Sequence, residues 1–196
     1  CIGEAREEEI VYRSGAKPTD LICVSGDLGA AYMGLQLLER EKAVYQGEKD
    51  FAPDFAGHEY ILERQLKPEA RKDIVEKPTA MMDISDGLSS ELLHIAHAGK
   101  VGVRIYDDKL PIDYQTAAMA EEFNMNLSTA ALNGGEDYEL LFTVPLPRLD
   151  DIQRIEGIHL IGHITEEADG HLLVARDGTE ITLVAQGWNA AKALNG

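Results

Sequence analysis

Cationic side chains are scarce in this sequence: Lys and Arg number 18 against 35 Asp and Glu, a net charge of −17 that the six His do not offset at neutral pH. Partners such as nucleic acid or an anionic membrane surface are recognised through clustered cations, and this balance argues against both. Cysteine is nearly absent as well. With only two, Cys1 and Cys23, neither a disulfide scaffold nor a four-ligand zinc site built on CxxC pairs is available. Cys23 lies in the apolar run LICV and reads as a buried thiol. No apolar stretch approaches the roughly 20 residues that span a bilayer, and the opening CIGEAREEEI is too acidic for a secretory leader. The expectation is a soluble, cytoplasmic protein. What remains is ample for a core: 196 residues, 44% hydrophobic and 27% charged, within the length of one domain of about 100 to 200 residues or two small ones. The chain opens on Cys rather than Met, in what reads as the middle of a segment, so it is expected to be a piece of a longer protein.

Along the chain, apolar runs and helical periodicities alternate. LICVS (21–25) predicts a strand, Gly26, Asp27 and Gly29 a turn, and Tyr32, Leu35, Leu38 and Glu39 fall at the spacing of one helical face. The unit recurs: TAMMDIS (79–85) predicts a strand and GLSSELLHIAHAG a helix with Leu88, Leu92 and Ile95 on one face, stopped at Gly99. VGVRIY (101–106) is a further strand, and DYQTAAMAEEF a helix offering Ala118, Met119 and Phe123 to the core. YELLFTVP is a strand ending at Pro145, followed by a short helix near 148–155. IHLIGHIT is another strand, and HLLVARDGTEITLV places Asp177-Gly178 between two extended segments, a hairpin signal. The charged stretch from about 40 to 77 carries Tyr45, Phe51, Phe55, Tyr60, Ile61 and Leu66, enough for one or two amphipathic helices ending near Pro68. The fold class is therefore α/β (α+β), a mixed sheet layered with helices.

Three stretches carry possible chemistry. In Met82-Asp83-Ile84-Ser85-Asp86-Gly87-Leu88, a strand period of two sends Asp83 and Ser85 the same way and Asp86 follows at the turn, so three oxygen ligands meet at one sheet edge. Two carboxylates so close repel unless a cation or backbone N–H groups answer them. Mg²⁺ suits such a site, since it takes one or two carboxylates and completes its shell with water and phosphate. The competing reading is a helix cap by Ser85 or Asp86, which leaves Asp83 at the end of an apolar strand unexplained. An acidic protein handling phosphate esters must rely on metals, helix N-termini and glycine turns. Gly26-Asp27-Leu28-Gly29 is such a turn, though Gly26 is as well explained by the turn itself and Gly34 by close helix packing. The third stretch is Asn133-Gly134-Gly135-Glu136-Asp137-Tyr138-Glu139, where paired glycines turn the chain and acids stand at a strand entrance. An ordinary turn with a solvated edge reads equally well there. His94 and His97, three apart on a helix, and His159 and His163, in or beside a strand, are given no catalytic part.

Taken together, VSGDLGAAYMGL (24–35), MMDISDGLSSEL (81–92) and GGEDYELLFTVP (134–145), with RSGAKPTD (13–20) before and IGHITE (161–166) after, resemble the C-terminal half of the thiamine-monophosphate kinase family. That family shares a superfamily with aminoimidazole ribonucleotide synthetase and selenophosphate synthetase. The resemblance implies residues 1–20 as linker or strand from a missing N-terminal ATP-binding domain, and 21–196 as the C-terminal α/β domain with a helical insertion at about 40–77. It implies ATP-dependent phosphorylation of thiamine monophosphate to thiamine diphosphate by direct transfer with Mg²⁺, in a homodimer when full length, and inactivity of this piece alone. On it, Asp83 and Asp86 hold Mg²⁺, Ser85 and Arg13 meet the nucleotide, and Glu136 and Trp188 hold the thiamine end; no catalytic proton acceptor is assigned. The family usually continues after the Trp with His and an aromatic, where this chain has Ala190 and Ala191. Another ATP-dependent synthetase of the superfamily, or a non-catalytic nucleotide-binding module, is the alternative.

Overall fold

The computed structural model describes residues 3–45, 53, 55–71 and 78–185. Among the described residues seven strands form one sheet: β1 (Leu21–Ser25), β2 (Ala80–Asp83), β3 (Val101–Tyr106), β4 (Leu140–Val144), β5 (Ile158–Glu166), β6 (His171–Val174) and β7 (Glu180–Thr182). Their order across the sheet is β2-β4-β1-β5-β3-β6-β7. Only β3 and β6 pair in parallel; the other neighbours are antiparallel. Six α-helices among the described residues accompany them: α1 (Ala30–Tyr45), α2 (Glu59–Leu66), α3 (Leu88–Gly99), α4 (Tyr114–Glu122), α5 (Leu127–Asn133) and α6 (Leu149–Ile152). The expected α/β class, a mixed sheet with helices layered on it, is what forms.

The strand period divides the core in two. Ile22 and Val24 of β1 and Leu141 of β4 pack with Leu88, Leu92 and Ile95 of α3. Leu21, Cys23, Phe142 and Val144 face the opposite way and pack with Ile152 of α6. All five residues of β1 are buried, so both faces of this central strand are covered and its apolar run is uninterrupted. Burial raises the Cys23 thiol to about 12, leaving it an inert apolar side chain.

The described residues of the 40–77 stretch form the end of α1 and a separate α2 that stops before Pro68; Phe51 lies outside them. Gly34 is where the two helices meet: a Cβ there would lie 2.2 Å from the Ile61 carbonyl oxygen. That contact rotates α1 away from the face its large residues suggested. Ala30, Ala31, Met33, Gly34 and Leu37 are the buried set, while Tyr32, Leu35 and Leu38 are half-buried and Glu39 is exposed. Small residues win because α1 is gripped on two sides, by Ile61 of α2 and Ala130 of α5. In α4, Met119 is buried and Phe123 packs against the core as expected, while Ala118 is exposed and Ala120 is buried in its stead. α5 was not expected at all; its seven residues are too few to show a period.

Candidate functional site

Because β4 runs antiparallel to both neighbours, the carboxyl ends of β1 and β2 lie beside its amino end. Asp83 pairs with Leu140, and Val24 with Leu141. The segment 83–88 and the segment 133–139 are then joined beyond the ladder. The Ile84 N–H donates to the Glu139 carbonyl at 2.8 Å, the Tyr138 N–H to the Ile84 carbonyl at 2.9 Å, and the Glu136 N–H to the Ser85 carbonyl at 2.8 Å. Two glycines permit this approach. Gly135 has φ +72 and a Cβ on it would come within 2.7 Å of the Ser85 carbonyl oxygen; Gly87 has φ +105 and its Cβ would meet the Leu132 carbonyl oxygen at 2.8 Å.

The helix-cap reading of Ser85 and Asp86 fails on this geometry. The N-cap of α3 is Gly87, with no side-chain cap bond. The capping runs in reverse: Glu91, in the first turn of α3, accepts the Asp86 backbone N–H at 3.1 Å. Glu91 is 2% exposed and its second oxygen has no partner. Burial, followed by the nearby charges of Asp86 and Asp83, raises its pKa against the pull of the N–H bond. The carboxylates of Asp83 and Asp86 are exposed and take no hydrogen bond or ion pair among the described residues. Their donor set fits Mg²⁺: two oxygen-bearing side chains open to solvent, with Glu91 adding to the negative field. Among the described residues no three acidic, His or Cys side chains close on one metal position.

Residues 135 to 139 alternate between buried and exposed. Glu136 and Tyr138 face outward, where the Tyr138 hydroxyl donates to Glu136 Oε2 at 3.0 Å. Asp137 and Glu139 face inward and are 4% and 3% exposed. Both Asp137 oxygens accept the Gly29 N–H, at 3.1 and 3.0 Å, so this carboxylate fills the anion site at the start of α1. Burial pushes its pKa up to about 7, opposed by the Gly29 N–H and Arg64. Glu139 accepts the Ser25 hydroxyl, Arg64 Nη1 at 2.8 Å and an ion pair from Arg71 at 3.5 Å. Arg64 also donates to the Asp27 carbonyl at 3.0 Å, and the Tyr60 hydroxyl donates to the Asp27 side chain. α2 is thereby tied to the glycine turn after β1. Gly26, with φ +57, is close enough to Glu139 that a Cβ would strike its carboxylate. Gly26 is thus needed for the turn, as its simpler reading had it, and also for the close approach of Glu139.

The structure thus brings Asp83, Asp86 and Glu136 to one sheet end, with Ser85 half-buried between them. It does not bring Arg13 there. Arg13 is exposed in the leading segment, where Gly15 lies against the carbonyl of Thr79, beside the amino end of β2 and so opposite Asp83. Trp188 lies outside the described residues. Sequence reading missed Ser25, Arg64, Arg71 and Glu91, and left Tyr138 without a part. Only Glu91 carried a local signal, an acid in the first turn of a helix whose cap is glycine. An apolar groove of about 620 Å³, lined by Leu21, Tyr106, Leu146, Leu160 and His163 among others, opens elsewhere, at the amino end of β1. No helix among the described residues is long and apolar enough to cross a membrane.

Residues 17–175, which hold the mixed sheet and its joined strand ends, match the family described as AIR synthase related protein, C-terminal domain. The chain belongs to that family. Within it, the chain is similar to the thiamine-monophosphate kinases. It is 31% identical to the protein of that name from Bacillus subtilis (strain 168), over 97% of this chain and 58% of that one. It is 37% identical to the one from Aquifex aeolicus (strain VF5), over 79% of this chain and 50% of that one. A solved structure, AaThiL complexed with AMPPCP and TMP, superposes with a TM-score of 0.74 at 34% identity, covering 93% of this chain and 55% of that chain. The chain therefore spans about half the length of the relatives it matches.

Proposed function

We propose that this chain is the C-terminal half of a kinase that transfers the γ-phosphoryl of ATP directly to thiamine monophosphate. The observation that carries the reading is selective: among the acids gathered at this sheet end, Asp27, Glu91, Asp137 and Glu139 are half-buried or buried and hydrogen-bonded, while Asp83, Asp86 and Glu136 are exposed. The names of the relatives support the reaction, and the complex of AaThiL with AMPPCP and TMP supports ATP and thiamine monophosphate as the ligands.

On this reading Asp83 and Asp86 hold Mg²⁺, which when bound neutralises charge on the phosphate oxygens. The remaining work is positioning. Ser85 offers its hydroxyl to the nucleotide phosphates. Glu136 faces the thiamine end, where a carboxylate accepts hydrogen bonds from an aminopyrimidine and complements a thiazolium charge. Trp188 gives an aromatic face to the same ligand, and Arg13 reaches nucleotide only where ATP extends toward the other end of β2. The whole protein is a cytoplasmic homodimer, and the missing half supplies most of the metal and nucleotide contacts, so residues 1–196 alone are inactive.

The test is ADP release in the whole protein as a function of thiamine monophosphate and Mg²⁺. Asp83→Asn is expected to abolish release with the fold intact. Normal turnover of that variant at low Mg²⁺, or ADP release indifferent to thiamine monophosphate, overturns the reading. Turnover by residues 1–196 on their own overturns the division of labour.

A further inference from the structure

Five non-glycine residues among those described have positive φ: Thr19 (76), Lys100 (54), Asn124 (51), Glu136 (62) and Tyr138 (52). Lys100 caps α3 and Asn124 follows the end of α4; a left-handed residue just past a helix is ordinary. Thr19 sits in the turn before β1. Glu136 and Tyr138 have no such excuse. They stand at a strand entrance, alternate with buried Asp137 and Glu139, and one of them is a bulky aromatic, for which the left-handed region is an outlier. Strain held in place by its surroundings marks sites where a side chain must point in one direction.

The surroundings here are the backbone bonds from the Glu136 and Tyr138 N–H groups to the Ser85 and Ile84 carbonyls. They fix both residues to the segment that carries Asp83 and Asp86. The left-handed turns swing both side chains outward, where the phenol reaches Glu136 Oε2 at 3.0 Å. The ring is 36% exposed. The hydrogen bond to Glu136 and the charge of that carboxylate raise the phenol's pKa above its ordinary value.

We propose that Tyr138 is the positioning residue of the acceptor side: its hydroxyl fixes the Glu136 carboxylate in one orientation, and its exposed ring forms the wall between that carboxylate and the Asp83–Asp86 pair. The ligand class this arrangement takes is a cationic heteroaromatic ring carrying a phosphoester, with the cation against Glu136 and the ring, and the phosphate toward the aspartates. A freely rotating Glu136 would accept the same hydrogen bonds, but only after losing rotamer freedom on binding. The inference rests on the kinase reading above.

The experiment is steady-state kinetics of the whole enzyme, with KM measured separately for thiamine monophosphate and ATP. Tyr138→Phe keeps the ring and the backbone and deletes only the donor. It is expected to raise KM for thiamine monophosphate by about tenfold, the scale of one hydrogen bond to a charged group, with kcat within about twofold and KM for ATP unchanged. Tyr138→Leu removes the aromatic wall too and raises the same KM further. Glu136→Gln combined with Tyr138→Phe should cost little more than Glu136→Gln alone, because the phenol acts through that carboxylate. An unchanged KM in Tyr138→Phe, or an equal loss on the ATP side, overturns the proposal. A wild-type enzyme with no release dependent on thiamine monophosphate overturns the kinase reading instead, so the two failures are told apart.

Discussion

Two sets of acids lie within a few residues of each other at the same end of the sheet, and they could hardly be treated more differently. The inner set, Asp137 and Glu139, is supplied with donors brought from far along the chain: the Gly29 N–H, the Ser25 hydroxyl, Arg64 and Arg71. The outer set, Asp83, Asp86 and Glu136, is exposed, and among the described residues its one side-chain donor is the Tyr138 phenol. Acid content alone does not separate a structural carboxylate from a functional one; the supply of hydrogen-bond donors does. Among the described residues two arginines reach Glu139 and none reaches Asp83, and that contrast is why the outer carboxylates are the ones proposed to meet ligand.

The largest effect that would break this contrast is catalytic. In the whole enzyme, Asp83→Asn is expected to lower kcat at least a thousandfold, about 4 kcal/mol of transition-state stabilisation. Its urea midpoint should stay within about 0.5 kcal/mol of wild type, as for an exposed side chain without partners. The mirror experiment is Glu139→Gln. Here the loss is in stability, about 3 kcal/mol by urea denaturation, since Arg64 and Arg71 lose their counter-charge in a buried setting. A stable Glu139→Gln, or an unstable Asp83→Asn, would show the two sets wrongly divided.

The outer set was legible in the sequence and the inner one was not, for a physical reason. DISDGL and GGEDYE are contiguous, and the strand period and turn glycines are local rules. Asp83, Ser85 and Asp86 could therefore be placed together before any fold was known, while Glu136 joined them only through the family resemblance. The partners of Asp137 and Glu139 come from residues 25, 29, 64 and 71, and no local pattern announces a contact across such separations. The same limit explains α1, whose large apolar residues suggested one face while the close approach of Ile61 to Gly34 selected another. It also explains Tyr138, whose backbone conformation depends on bonds to Ile84 and Ser85 that follow only from the antiparallel register.

A smaller effect sharpens the comparison through pH. The folded pKa of Asp137 is about 7 against an ordinary 3.8. Between those values the unfolded chain has released a proton that the folded chain keeps, so this group's contribution is full below 3.8 and declines as pH rises toward 7. Stability of the wild type relative to Asp137→Asn should fall across that window, with a slope of at most about 1.4 kcal/mol per pH unit, and level off above it. A difference independent of pH would mean that the Gly29 N–H and Arg64 outweigh burial and keep Asp137 charged throughout.

The smallest expected effect tests whether the two sets are independent. Ser25 is 2% exposed; its hydroxyl donates to Glu139 and accepts the Leu140 N–H at 2.9 Å. Ser25→Ala strips one donor from Glu139 and leaves a strand-entrance N–H without its acceptor, a loss of about 1 to 2 kcal/mol in a urea titration. Because Arg64 and Arg71 still hold Glu139, the site end of β4 should keep its register with Asp83. Combining Ser25→Ala with Glu139→Gln should then cost clearly less than the sum of the two, since both act on one network. KM for thiamine monophosphate in Ser25→Ala should stay at the wild-type value. A rise in KM comparable to that of Tyr138→Phe would mean that the inner network sets the aim of Glu136 and Tyr138, and that the two sets of acids are one machine rather than two.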